Sequence, residues 1–480
     1  MRFVMLLLAM GCLPKAAPPV PEHRKAAPGP LEARAFQAPA TATGKLSNGL
    51  EVTVVENHEV PLVWVSLYVD RGQFTDPADK PGLASATMDM LNEGAGEYDA
   101  AGLSKATKSL ASSLSSSASD DVASLSIKTL TKNLGPTLDL MSLVLRSPTF
   151  ADKDWDLMRK KRLQDLEAAR NNPRKIHSRV WDKLFYGDGY KGAMRTEDAY
   201  NAITTADMRS WYSKHLAPNV ARIYVGGDTT LDKVLPLLEA RFGDWEGTAK
   251  EIDRAQIVSG MPERAQGTHI VLIDKPGAPQ SVVKVGQRVF SRKADDFFPA
   301  LLANYCFGGM FMARLNMNLR EDKGWTYGAR SGVSHSHVDG VFSAGASVIT
   351  DKTAESVSEI LRELKESQAD RPFTQEELNG MRGALLGTRP LRFESTGYLL
   401  GQTRDIWIYD LPSDWVTSYP DHVRSVTLEG AMTAWKRWIN PDQLTILVVG
   451  DAATIREGLS ALGLPMTELN ADGQPVGAKQ

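Results

Sequence analysis

The sequence predicts an α+β fold: two homologous tandem domains, each a mostly antiparallel sheet with helices packed on one face. Three observations carry this. The first is a repeat held in register. Pro218 and Pro441, Asp228 and Asp451, Phe150 and Phe373, Met158 and Met381, and Arg159 and Arg382 all stand 223 residues apart. Met208 and Trp211 find their counterparts in Met432 and Trp435 one residue further on, a slip that a small insertion accounts for. A register kept over so many positions means two copies of one unit in sequence. The second is a mixture of two-residue and 3.6-residue apolar periods without strict alternation, which argues against a parallel α/β sheet. The third is the composition. A chain of 480 residues, 42% hydrophobic and 24% charged, is globular and long enough for several cores, and is neither disordered nor fibrous.

The elements follow in order. In the first copy, Glu51–Glu56 and Leu62–Val69 alternate apolar and polar residues and read as strands. Residues 81–92 read as a helix, 122–129 as a strand, and 133–145 and 152–171 as helices, the last strongly charged on one face. A short helix at 206–215 and a strand at 221–226 close the copy. In the second copy, His269–Asp274, 281–287 and 341–348 read as strands, and 295–306 and 353–367 as helices. The first domain is placed at 44–250, a linker at 251–266, the second domain at 267–465 and a flexible tail at 466–480. The net charge of −3 gives no electrostatic case for nucleic acid. No run of 18 apolar residues exists to span a membrane. Two cysteines, Cys12 and Cys306, cannot form a disulfide framework or a thiolate zinc site. Cys306 falls in an apolar helix and reads as core packing.

Residues 1–12 (MRFVMLLLAMGC) carry one basic residue, a short apolar stretch and Gly-Cys, and resemble a bacterial lipoprotein signal in which Cys12 is the lipidated residue. Residues 13–43 are rich in Pro and Ala and lack apolar periodicity, so they read as an extended tether. The expectation is a periplasm-facing lipoprotein of the bacterial cell envelope, touching a membrane only through its lipid anchor.

The stretch Gly82-Leu-Ala-Ser85-Ala-Thr-Met88-Asp89-Met-Leu91 resembles the helix of the pitrilysin/insulinase family of zinc metallopeptidases. The resemblance covers about residues 41–465. In that family two histidines of H-x-x-E-H bind zinc, the glutamate between them activates water, and a distal glutamate about 76 residues on completes the site. Here Ser85 and Asp89 stand at the histidine positions, Met88 at the base and Asp165 at the distal ligand. Zinc needs three good protein ligands and an open position for water. A serine and two aspartates are a poor set, and methionine cannot accept a proton. The helix is therefore expected to be non-catalytic, with no metal and no cofactor in this chain. His335 and His337, two apart, would share a strand face. They, the remaining histidines and the Asp120-Asp121 pair read as structural or surface residues rather than ligands.

Met312 to Tyr327 resembles the family's S-R-L-x-x-x-L-R-E-x-x-G-x-x-Y stretch, with Ala313 in place of its serine and Gly308-Gly309 before it. In the family the last arginine and the tyrosine bind the substrate backbone and the oxyanion. The resemblance gives that role to Arg320 and Tyr327, acting in trans. It further implies an edge strand at 114–118 that takes a peptide as an added strand. Its fullest implication is a non-catalytic subunit of a heterodimeric zinc peptidase, whose partner bears an intact H-x-x-E-H motif and the zinc, with peptides as substrate. Three alternatives stand beside it: a peptide-binding or assembly scaffold with no hydrolysis, a lone enzyme using a non-zinc cation at Asp89 and Asp165, and a homodimeric scaffold with a vestigial Arg/Tyr pair.

Overall fold

A computed structural model of the chain describes residues 40–254, 257 and 260–476. The signal, Cys12 and the tether up to residue 39 lie outside the described residues.

The first copy contains β1 (Thr41–Lys45), β2 (Glu51–Glu56), β3 (Leu62–Val69), α1 (Leu83–Met90), α2 (Ala100–Ser109), β4 (Ser113–Ala118) and β5 (Ala123–Leu130). It continues with α3 (Leu134–Arg146), α4 (Asp152–Arg170), α5 (Pro173–Tyr186), α6 (Glu197–Ala202), α7 (Thr205–His215), β6 (Ala221–Gly227) and α8 (Leu231–Phe242). The second copy contains β7 (His269–Asp274), β8 (Gln280–Val289), α9 (Phe297–Asn304), β9 (Thr326–His335), β10 (Gly340–Ile349), α10 (Thr353–Glu366) and α11 (Gln375–Phe393). It ends with α12 (Thr396–Ile408), α13 (Trp415–Ser425), α14 (Leu428–Trp438), β11 (Thr445–Gly450), α15 (Ala452–Ser460) and β12 (Met466–Leu469). The starts of α4 and α11, α5 and α12, and α7 and α14 are each 223 residues apart, so the register read from single residues is carried by whole helices.

Each copy forms a six-stranded sheet, in the orders β1-β2-β6-β3-β5-β4 and β9-β10-β8-β11-β7-β12. The pairs β2/β6, β7/β11 and β7/β12 are parallel and the others antiparallel. Alternation puts Val52, Val54, Val63, Val65, Ile223 and Val225 into a core with α1, α3, α7 and α8. In the second sheet Ile270, Leu272, Ile446 and Val448 face the equivalent core.

The opposite faces are covered by an exchange of helices. α5, from the first copy, lays Ile176, Val180, Trp181 and Phe185 on Val271, Ile273, Leu447 and Val449 of the second sheet. α12, its counterpart, sits on the first sheet. Thr396 and Leu400 press so closely on Gly226 that a Cβ there would meet them at 2.4 and 2.8 Å. The Arg404 guanidinium stacks over Tyr68, and Trp407 packs under Arg222, each at 5.1 Å. Each sheet thus has helices of its own copy on one face and one borrowed helix on the other.

Two boundaries move. The first sheet begins at Thr41, inside the stretch expected to be tether, because β1 needs only backbone pairing with β2 and its Thr-Ala-Thr-Gly-Lys sequence carries no apolar alternation. Residues 466–476 are not a loose tail. β12 adds to the edge of the second sheet, and Asp472 then accepts hydrogen bonds from Arg170 at 2.8 Å and Arg179 at 3.1 Å, tying the C-terminal segment to α4 and α5.

His177 illustrates the cost of this packing. It is 2% exposed, stacked on Trp181 at 5.3 Å, and its Nε2 has no hydrogen-bond partner among the described residues. Burial, with Lys284 nearby, pulls its pKa down to about 3. Between about pH 6.5 and 3 the unfolded chain takes up a proton that the folded chain refuses, so this group's contribution to stability is complete above pH 6.5 and is lost as pH falls. The expected result is that the unfolding free energy of the wild type minus that of His177→Gln drops by about 2 kcal/mol from pH 7 to pH 5, at about 1.4 kcal/mol per unit below 6.5. Urea unfolding of both chains at the two pH values checks this, and an unchanged difference contradicts it.

Candidate functional site

α1 lines a cavity of about 960 Å³ together with helices α4 and α5 and the 191–195 turn. The helix is held at its start by Asp76, whose carboxylate accepts hydrogen bonds from the backbone N–H groups of Gly82 and Ala84, both at 2.7 Å. That satisfies orphan donors of the first turn, and these hydrogen bonds oppose the burial that pushes the Asp76 carboxyl up to about 7. Gly82 precedes the helix at φ +97°, a left-handed conformation that glycine adopts without strain.

One turn apart on α1, Ser85 and Asp89 face the cavity. Met88 does not. It is 1% exposed and packed in the core, where the helical period puts the next position round. Its backbone carbonyl accepts from the Ser116 hydroxyl on β4 at 2.5 Å, and the same hydroxyl accepts from Asn92 at 2.6 Å, so α1 is bonded to the edge strand.

The residue that sequence reasoning missed is Arg162. Its guanidinium reaches across from α4, bonding Asp89 and meeting the Ser85 hydroxyl at 3.3 Å through the same Nη2. Its side chain is only 12% exposed, and the ring of Tyr200 lies 5.6 Å away. Burial pushes the Asp89 carboxyl above its ordinary pKa, and Arg162 opposes that shift. Asp165 lies one turn further along α4 and also lines the cavity. The sequence-predicted positions are therefore brought together, apart from Met88, but around an arginine. Among the described residues no group of three or more His, Cys, Asp or Glu side chains is placed to hold a metal. The donor set present, one hydroxyl and two carboxylates of which one is paired to a guanidinium, does not fit zinc.

Arg320 and Tyr327 lie elsewhere. Arg320 is on the helical segment Met317–Asp322, and Tyr327 is the second residue of β9. The Arg320 guanidinium stacks on Phe311 at 4.6 Å and lies 5.4 Å from the Tyr327 ring. It also pairs with Glu321 at 3.2 Å. Tyr327 is 91% exposed, and Phe311 and Met312 are exposed beside it. The segment beneath is firmly held. Buried Asn316 donates to the Phe311 carbonyl at 2.8 Å and accepts from the Ala329 N–H at 3.0 Å, and Arg314 forks onto Glu377 at 2.6 and 2.7 Å. No residue of the second copy lines the cavity, so within this chain the Arg/Tyr pair does not reach the degenerate ligand positions.

Two expectations are corrected, the surface placement of Asp120-Asp121 and the shared strand face of His335 and His337. Asp120 and Asp121 are at the tip of the β4–β5 hairpin, packed against the first copy's own Tyr190-Lys191 turn. Asp121 is 9% exposed and accepts from the Tyr190 hydroxyl at 2.6 Å. His335 and His337 do not share a strand face, because β9 ends at His335. His335 packs against the rings of Phe290 and Phe297, and His337 reaches Asp70 at 3.5 Å. Burial lowers both imidazole pKa values, to about 3 and about 4. Cys306 is buried, and burial pushes its thiol up to about 12, as suits a core residue. The 114–118 stretch lies in β4, an edge strand of the first sheet, with Ser113, Ser115 and Ser117 exposed.

The repeated sheets, the helix flooring the cavity and the arginine seated at its ligand positions define a two-domain zinc-peptidase fold whose metal-binding helix has lost its ligands and its base. The insulinase (peptidase family M16) model matches residues 51–192. The model of the peptidase M16 inactive domain matches residues 202–385. The chain belongs to this family. It is 21% identical over 411 residues to a non-peptidase homologue of Helicobacter pylori, covering 84% of this chain and 93% of that one. A peptidase M16 inactive domain from Pseudomonas fluorescens superposes with a TM-score of 0.76 at 23% identity, over 86% of this chain and 98% of that one. The periplasmic protease PqqL of Escherichia coli gives 0.71 at 18% identity, over 89% of this chain and 49% of its own.

Proposed function

We propose that this chain is the non-catalytic subunit of a heterodimeric zinc peptidase, inactive alone, which offers Arg320 and Tyr327 to a peptide held at the zinc of a partner bearing H-x-x-E-H. The observation that carries the reading is the separation of the two half-sites. The chain's own ligand positions are filled by an arginine, while the Arg/Tyr pair stands on a braced segment, with Tyr327 91% exposed and no ligand position among the described residues within its reach. A guanidinium and a phenol suit the role: fixed donors aimed at a carbonyl that becomes an oxyanion. The non-peptidase status of the H. pylori relative and the periplasmic setting of PqqL support an inactive, envelope-located protein, and the lipoprotein-like run ending in Gly11-Cys12 supports an anchor at Cys12. No helix among the described residues is long and apolar enough to cross a membrane. β4 favours a second reading, a peptide-binding or assembly scaffold, because a strand edge unpaired among the described residues and bonded to α1 can accept a peptide by backbone hydrogen bonds without any hydrolysis.

The test is co-expression with the family member of the same genome that retains H-x-x-E-H. The expected result is co-purification of the two chains and chelator-sensitive peptide cleavage by the pair only. Peptide binding without cleavage by the pair supports the scaffold. Cleavage by this chain alone defeats both readings.

A further inference from the structure

The ligand positions on α1 are not an empty remnant. Ser85 and Asp89, four residues apart on one helical face, are bridged by a single nitrogen of Arg162. Any ion bound by side chains at 85 and 89 must lie between them, about 2 Å from each ligand atom, and that space holds a guanidinium. The arginine is well fixed. It is 12% exposed, rises from the 19-residue helix α4, and lies against Tyr200. Its charge is permanent. Asp165, the third candidate ligand, is on the same helix one turn on and lines the same cavity, so the guanidinium stands on the wall from which a third ligand would come.

We infer that Arg162 is a resident cation that has taken the metal's place, so that the pocket excludes a divalent ion by occupancy and charge and not merely by the loss of its ligands. The ion pair it forms with Asp89 joins α1 to α4, as a shared metal would, and keeps the cavity wall in position. This goes beyond the subunit reading and stands whether or not a partner exists.

The consequence is that restoring the ligands is not enough. In the full-length chain carrying Ser85→His, Met88→Glu, Asp89→His and Asp165→Glu, zinc is expected to bind at least ~100-fold more weakly with Arg162 kept than with Arg162→Ala added, because the arginine then lacks its carboxylate and faces the incoming ion directly. Arg162→Lys in the restored chain, a cation of different shape, should also impede binding. Zinc competition titrations and the visible absorption of bound cobalt read this. Equal affinities with and without Arg162 overturn the inference. If the restored chain does not fold, Arg162→Ala in the native background carries the test. Asp89 then loses its counter-cation, and millimolar Mn²⁺ is expected to raise the Tm of that chain and not of the wild type. An equal response of the two chains overturns the inference.

Discussion

Arg320→Ala is expected to lower kcat/KM of the two-subunit peptidase by about 10²–10³-fold, the loss seen when one preorganised oxyanion donor is removed. The argument is differential. A donor that meets the carbonyl oxygen only as it becomes charged supports the transition state more than the bound peptide, so the fall should appear in kcat with KM little changed. Lysine should recover only part of it, because an ammonium is a compact charge without the planar fork. Tyr327→Phe removes a neutral donor and should cost less. Subunit association, measured by sedimentation, should survive all three changes, since the bracing lies below the pair in Asn316, Arg314 and Glu377 rather than in Arg320 itself. An Arg320→Ala complex that assembles and turns over like the wild type removes the in-trans role and leaves the scaffold.

How much of this was legible beforehand depended on whether the information was local. The repeat was readable because equivalent helices and strands demand the same residue types at the same spacing, and one offset of 223 relates α4 to α11 and α5 to α12. The loss of the metal site was readable because ligand chemistry belongs to residue types. Arg162 was not. In Lys160-Lys161-Arg162 it looks like one more cation on a solvated helix face, and its partner is 73 residues away. The exchanged helices were not readable either: an apolar face on α5 says that a sheet covers it, not which sheet. The buried Asp121 was missed for a related reason. A polar pair in a serine-rich stretch signals a turn, and only the fold brings Tyr190 against that turn. β1 and β12 escaped because edge strands are held by backbone pairing and carry little side-chain pattern.

The helix exchange leads to the second large effect. Trp181→Ala is expected to destabilise the chain by about 3–5 kcal/mol, the range for truncating a buried tryptophan where the surroundings cannot collapse. The site has little freedom to relax. Trp181 is 6% exposed, lies between His177 at 5.3 Å and Phe185 at 4.9 Å, and has the Lys284 ammonium over its ring at 5.2 Å. Below it is Gly286, where a Cβ would meet the indole at 2.8 Å, so the sheet backbone itself forms the floor of the pocket. A cavity opened there lies between a first-copy helix and the second-copy sheet, and so weakens the join between copies as well as the core. One consequence distinguishes this from an ordinary core truncation. Urea unfolding should lose cooperativity, with the copies parting before either melts, whereas truncating Leu272, inside the second copy's own core, should shift one transition without splitting it. A Trp181→Ala chain that unfolds in one transition within 1 kcal/mol of the wild type would show that α5 merely rests on the second sheet, and that Asp472 and the C-terminal strand hold the copies together instead.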